Sequence, residues 1–145
     1  MTRFSFLAAA ASVAGAGLGL YCAPAPAAEM SAHSKPAHVE AIAGSSLKKV
    51  TLTAKAAERL GVQIDEVRAD MSGRLIVPYT AVLYDLTGGT WVYVHSDPMA
   101  FVRQAVKIDT IKGNNVYLSD GPSLGTKVLA AAVPQVFGTE TGVGH

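Results

Sequence analysis

A chain of 145 residues with 12 Lys and Arg against 11 Asp and Glu has room for one domain and no excess of cations to hold a phosphate backbone. No basic stripe with interleaved aromatics occurs either, so nucleic acid is excluded as an expected partner. The single cysteine, Cys22, rules out an intrachain disulfide.

Arg3, the uncharged apolar run from Phe4 to Leu20 and the small residues Ala25-Pro26-Ala27 make the three-part pattern of a signal peptide over residues 1–27, cleaved after Ala27. Cleavage after Ala25 would place Pro26 first in the mature chain, which disfavours it. Removing Arg3 leaves eleven cations and eleven carboxylates. The alternative keeps Phe4–Leu20 as an uncleaved inner-membrane anchor, since seventeen residues is the lower limit for a spanning helix. Lipidation of Cys22 is the lesser reading, because Tyr21 precedes it and Gly19 stands where leucine is usual.

Residues 28–47 lack any apolar period and are rich in Ala, Ser, His and Pro, the composition of a flexible segment. Val50 and Leu52 then alternate with polar residues as in a strand. Thr53 is placed to cap a helix over Ala54–Leu60, and Gly61 to stop it in a left-handed turn. A strand over 62–67 follows, with Val62 and Ile64 on one face and Val67 out of register, which implies a bulge or a strand end. Further strands are expected at 74–77, 81–84, 90–95, 101–111, 115–118 and 127–132. The turns between them are Gly88-Gly89, Asp97-Pro98, Gly113-Asn114 and Asp120-Gly121-Pro122. None of these connections is long enough for a parallel crossover, so the sheet is expected to be antiparallel. The fold class is mainly β: a single antiparallel β-roll, barrel-like, with one short helix. Within 90–95, Val92 and Val94 share one face while Trp91, Tyr93 and His95 share the other, which implies cover on both. Trp91 is expected in the core with Tyr79, Tyr84, Tyr93 and Phe101. Val133–Phe137 is expected to add one closing turn, and residues 138–145 a flexible tail.

Catalysis finds few supports in this sequence. The mature chain has no cysteine, no G-x-S-x-G elbow is present, and Gly88-Gly89 precedes a strand where a phosphate cradle needs a helix. The expectation is a protein that is no enzyme. Met30, His33 and His38 together offer a thioether and two imidazoles, ligands suited to monovalent copper or silver, although their spacing fits no defined motif.

Two stretches resemble one family. "VTLTAKAAERLGVQIDEV" is similar to the segment with which periplasmic adaptor proteins (membrane fusion proteins) of RND efflux pumps, the heavy-metal ones especially, enter their folded body. "IVPYTAVLYDLTGGTWVYVHSDPMAFVRQAVKI" followed by "NNVYLSDGPSLGTKVLAAA" resembles their C-terminal part, in which a VP-x-x-A-V strand, a glycine turn, WVYV and R-x-V-x-I recur in this order. The likeness covers residues 49–133. Adaptors insert a β-barrel, a lipoyl-like domain and a helical hairpin between the two stretches, where this chain has only "RADMSG"; "DGPSLG" also replaces the usual "SGLKAG" type of turn. The resemblance therefore implies the membrane-proximal domain alone, over residues 48–137. It implies a periplasmic, non-enzymatic subunit docking on an inner-membrane RND transporter or on its full-length adaptor. Loops 85–90, 96–100 and 119–126 are expected to be presented together, with Asp97, Met99, Pro122 and Ser123 as docking residues. A free-standing copper- or silver-binding protein and a truncated adaptor remnant are the rival readings.

Overall fold

The computed structural model describes residues 35–96 and 98–143. In chain order the elements are β1 (Ala37–Ala41), β2 (Lys48–Leu52), α1 (Ala54–Leu60), β3 (Gln63–Glu66), β4 (Arg68–Ala69), β5 (Leu75–Pro78), β6 (Val82–Tyr84), β7 (Thr90–Ser96), β8 (Ala100–Ala105), β9 (Lys107–Lys112), β10 (Asn115–Asp120), β11 (Lys127–Ala131) and α2 (Val133–Thr141). The larger sheet runs β1-β2-β8-β7-β11-β3, and the smaller runs β4-β5-β10-β9. Every pairing is antiparallel, as the short connections require, but neither sheet closes on itself, so the barrel-like expectation gives way to two open sheets.

Strand β7 occupies the middle of the larger sheet. One of its edges pairs with β8 along Trp91–Ser96. The other is shared: Thr90–Val92 pair with β6, and Val94 pairs with Val128 of β11. Its alternate residues feed two cores. Tyr93, with Leu83 and Leu129 of the neighbouring strands, packs on Ala57 of α1 and on Val133 and Val136 of α2. Val92, with Val82 and Val128, packs on Val77, Val116 and Leu118 of the smaller sheet. Both faces of the central strands are therefore covered, and the period-2 pattern of WVYV sorts its residues between helices and sheet.

Among the described residues the chain passes between the sheets four times, and each crossing carries a buried residue: Val67, Ala81, Val106 and Pro122. A crossing leaves its peptide groups outside a regular ladder, so they need other partners. Val67 N–H donates to Thr126 O at 2.9 Å, Val67 O accepts from Gly125 N–H at 2.8 Å, and Val106 N–H donates to Thr90 O at 3.0 Å. The expected long strand over 101–111 is thus two strands, β8 and β9, in different sheets. Val67 is likewise the end of a strand in one sheet and the entry to the other.

Local signals hold at α1. The Thr53 hydroxyl accepts from Ala56 N–H at 3.2 Å, and Gly61 adopts φ 64°. Thr53→Ala is expected to lower stability by about 1 kcal/mol in a denaturant titration, through loss of that cap.

Elsewhere the sequence expectations need correction. Residues 37–41, expected to be flexible, form β1 against β2 in register Val39 with Val50. The expected tail is helical through Thr141, so the expected closing turn at 133–137 extends into α2, which is longer than α1. Arg68–Ala69 pair with β5, so "RADMSG" makes a hairpin, while β3 itself pairs with β11 in the larger sheet. Tyr79 and Tyr84 are exposed; Tyr93, Phe101 and a half-buried Trp91 do share the core, where Phe137 of α2 joins them.

Candidate functional site

The expected docking loops separate. Turn 85–89 lies at the start of β7 and the Pro98-Met99 turn at its end, so a seven-residue strand, about 20 Å long, stands between them. Met99 is turned inward against the helix-side core, and its carbonyl accepts from Leu52 N–H at 3.0 Å. Pro122 is buried at the fourth crossing, which leaves Ser123 exposed among the described docking residues; Asp97 lies outside them. A Pro122 buried this way cannot be presented to a partner.

Another turn takes the place of 96–100. Asp70-Met71-Ser72-Gly73-Arg74 joins β4 to β5, and Asp85-Leu86-Thr87-Gly88-Gly89 joins β6 to β7, and the two are built alike. In the first, Asp70 Oδ1 accepts from Ser72 N–H at 2.9 Å, Ser72 Oγ at 2.7 Å and Arg74 N–H at 2.9 Å. In the second, Asp85 Oδ1 accepts from Thr87 N–H at 2.8 Å, Thr87 Oγ1 at 2.7 Å and Gly89 N–H at 2.8 Å. The other carboxylate oxygen is held from the side, by Arg74 Nε at 2.9 Å in one turn and by Trp91 Nε1 at 2.8 Å in the other. Gly73 and Gly88 supply the positive φ, 80° and 84°, that closes each loop. A side chain on Gly89 would meet Asp85 Oδ2 and Trp91 Nε1 at 2.8 Å, so the second turn has no room for alanine there.

In both turns the residue after the aspartate has nowhere to pack. Met71 and Leu86 are fully exposed, at 108% and 103%, and Leu124 in the β10–β11 turn is 63% exposed. The sequence carries a readable signal for this device: Asp, apolar, Ser or Thr, Gly, at 70–73 and again at 85–88. The Gly88-Gly89 pair and its bounding strands stand out in the sequence more than this repeat does.

These donors hold both carboxylates well below the usual range. The pKa of Asp85 falls to about 2 through the Thr87 hydroxyl first and then Trp91. That of Asp70 falls to about 2 through the Ser72 hydroxyl first and then the Arg74 amide. A depressed folded-state pKa stabilises the fold above the unfolded value of 3.8, and that contribution is lost as pH falls through about 2. In an NMR titration the amides of Arg74 and Gly89 are expected to stay put from neutral pH to about 4 and to shift as pH falls through about 2. Movement complete above pH 4 would mean that the carboxylates do not hold the turns.

Other polar features serve the fold. Glu140, 3% exposed, accepts from the Tyr93 hydroxyl at 2.5 Å and from Arg103 Nε at 3.0 Å, and Lys48 Nζ donates to its main-chain oxygen at 3.1 Å. The Arg103 guanidinium lies 5.0 Å from the Trp91 ring and 5.4 Å from the Phe137 ring. This network pins the end of α2 to the larger sheet. An apolar groove of about 320 Å³ lies beside α1, lined by Pro36, Ala37, Leu52, Ala56 and Leu60. The one buried side-chain polar atom without a partner among the described residues, His95 Nε2, is not in its lining.

Met30 and His33 lie outside the described residues, and His38 is an exposed residue of β1 with Nε2 3.3 Å from Glu40 Oε1. Among the described residues no three His, Cys, Asp or Glu side chains converge on a point where a metal ion could sit. Nor is any helix among them long and apolar enough to cross a membrane; Phe4–Leu20 is outside that range. No family model, no curated protein and no solved structure matches the chain.

Proposed function

We propose that this chain is a non-enzymatic periplasmic subunit, similar to the membrane-proximal domain of an adaptor, that docks on an inner-membrane RND efflux transporter. The observation that carries the reading is where the two stretches of likeness fall. The first spans β2, α1 and β3, the second runs from β5 to β11, and the Asp70–Arg74 turn closes the gap in which a full adaptor carries its extra domains. Among the described residues no helical hairpin is present with which to bridge two membranes. The chain acts by occupying the adaptor site or by binding one conformation of the transporter more tightly than another.

The test is binding of the purified chain to detergent-solubilised inner-membrane RND transporters of the cell that makes it, followed by interferometry. Saturable binding is expected, and it should survive replacement of both His33 and His38 by alanine. Absence of binding, together with a loss of cuprous-ion affinity in that double variant, would favour the metal-carrier reading.

A further inference from the structure

The twin hairpins are the most unusual surface feature of the molecule, and they border the same short piece of the smaller sheet. The first turn lines a concavity with Asp109 of β9 and with Leu118 and Ser119 of β10. The second lines another with Lys107 of β9 and Asp120 of β10. Lys107 to Asp109 is about 7 Å of strand, so the two tips flank one end of the β9–β10 pair. The β10–β11 turn, with Leu124 exposed, departs from the same end.

A fully exposed methionine or leucine on a mobile loop would need no comment. Here each is mounted on a loop whose carboxylate satisfies three donors on one oxygen and a fourth on the other. Rigid mounting lowers the ordering cost that a partner would otherwise meet on binding. The fixed turns hold their apolar side chains outward, where folding gains nothing from them.

Charge around the tips selects the partner. Asp70, Asp85, Asp109 and Asp120 surround them, against Arg74 and Lys107. Arg74 is itself bound by Asp70 at 2.9 Å and faces Asp109 at 3.5 Å. The rim is therefore net negative by two, which opposes an anionic bilayer and favours a cationic protein face.

We infer that Met71 and Leu86 are a pair of docking knobs for a protein partner that offers apolar sockets within a positively charged surface. The inference rests on the docking reading above for the identity of that partner. Its geometry rests on the twin turns alone.

The experiment uses the full chain and the same detergent-solubilised transporters. Met71→Ser and Leu86→Ser are each expected to weaken binding roughly tenfold, and the two together on the order of a hundredfold. The melting temperature should not change, because neither side chain packs on the body. Raising the salt concentration is expected to weaken the wild type further. Wild-type affinity in the double variant would overturn this surface while leaving transporter docking intact, and no binding by the wild type would overturn both. Binding unaffected by salt would remove the cationic socket. Vesicles of phosphatidylcholine, with and without phosphatidylglycerol, are expected to show no binding; binding that the double variant loses would make the partner a membrane and overturn the protein assignment.

Discussion

Replacing Arg103 by methionine is expected to lower stability by about 3–5 kcal/mol, because it strands a carboxylate that has almost no access to water. Glu140 is 3% exposed and would keep only the Tyr93 hydroxyl as a side-chain donor. The aliphatic part of the arginine is retained by methionine, so the loss reports the charge and its hydrogen bonds. Glu140→Gln should cost less, since the Arg103 side chain is 14% exposed and can turn its charge toward solvent. In the double variant Arg103→Met, Glu140→Met, most of the loss should be recovered. Equilibrium urea unfolding of the three variants forms the cycle; a double variant as unstable as Arg103→Met alone would show that packing, not the stranded charge, sets the cost. The same network fixes the alkaline limit. Burial first, and then the Glu140 carboxylate, push the Tyr93 hydroxyl far above its ordinary pKa of 10.0. The unfolded chain releases this proton near pH 10 while the folded chain retains it, so stability should be full below that pH and fall as pH rises beyond it.

Phe101→Ala is expected to cost a further large amount, about 3–5 kcal/mol, by a different route. Phe101 is fully buried on β8 in the helix-side core, where it meets Val50 across the β2–β8 pairing and lies 5.4 Å from the His95 ring. Four antiparallel strands converge there, so the surrounding backbone can collapse little into the space left behind. Thermal unfolding would measure the loss. A change below about 1 kcal/mol would mean that α2 moves in to fill the cavity.

Elements with chemistry in their own residues were legible in the sequence. Thr53 and Gly61 bracket α1 because a hydroxyl cap and a left-handed stop are local requirements. WVYV revealed the two-sided burial of β7, because alternation along a strand reports each face separately. β1 was not legible, since it is an edge strand paired through its backbone and four of its five side chains are exposed, so no apolar period marks it. The last turn of α2 was hidden for the opposite reason. "GTET" has poor helix formers, and what holds it is Glu140 meeting Arg103 and Tyr93, residues 37 and 47 positions away. Among the docking residues, Pro122 is buried because its turn carries the chain between the sheets, whereas Met99, in the hairpin between β7 and β8, is drawn inward by the helix-side core. The twin aspartate turns lay within reach, because each is written in five consecutive residues.

The order in which strands pair has a consequence for how the chain acquires its structure. β2 and β3 flank α1 near the start of the body, yet β2 waits for β8 and β3 for β11 before either is bonded on its inner side. β7 likewise lacks a partner for the second half of one edge until β11 arrives. Contacts of such long sequence separation incur loop-closure entropy before they return any burial, which places the folding rate in the millisecond-to-second range typical of β-sandwich topologies. No early subset of strands makes a closed, self-sufficient core, so the two cores are expected to form and melt in one transition, with the arrival of Lys127–Ala131 as the event that commits the whole.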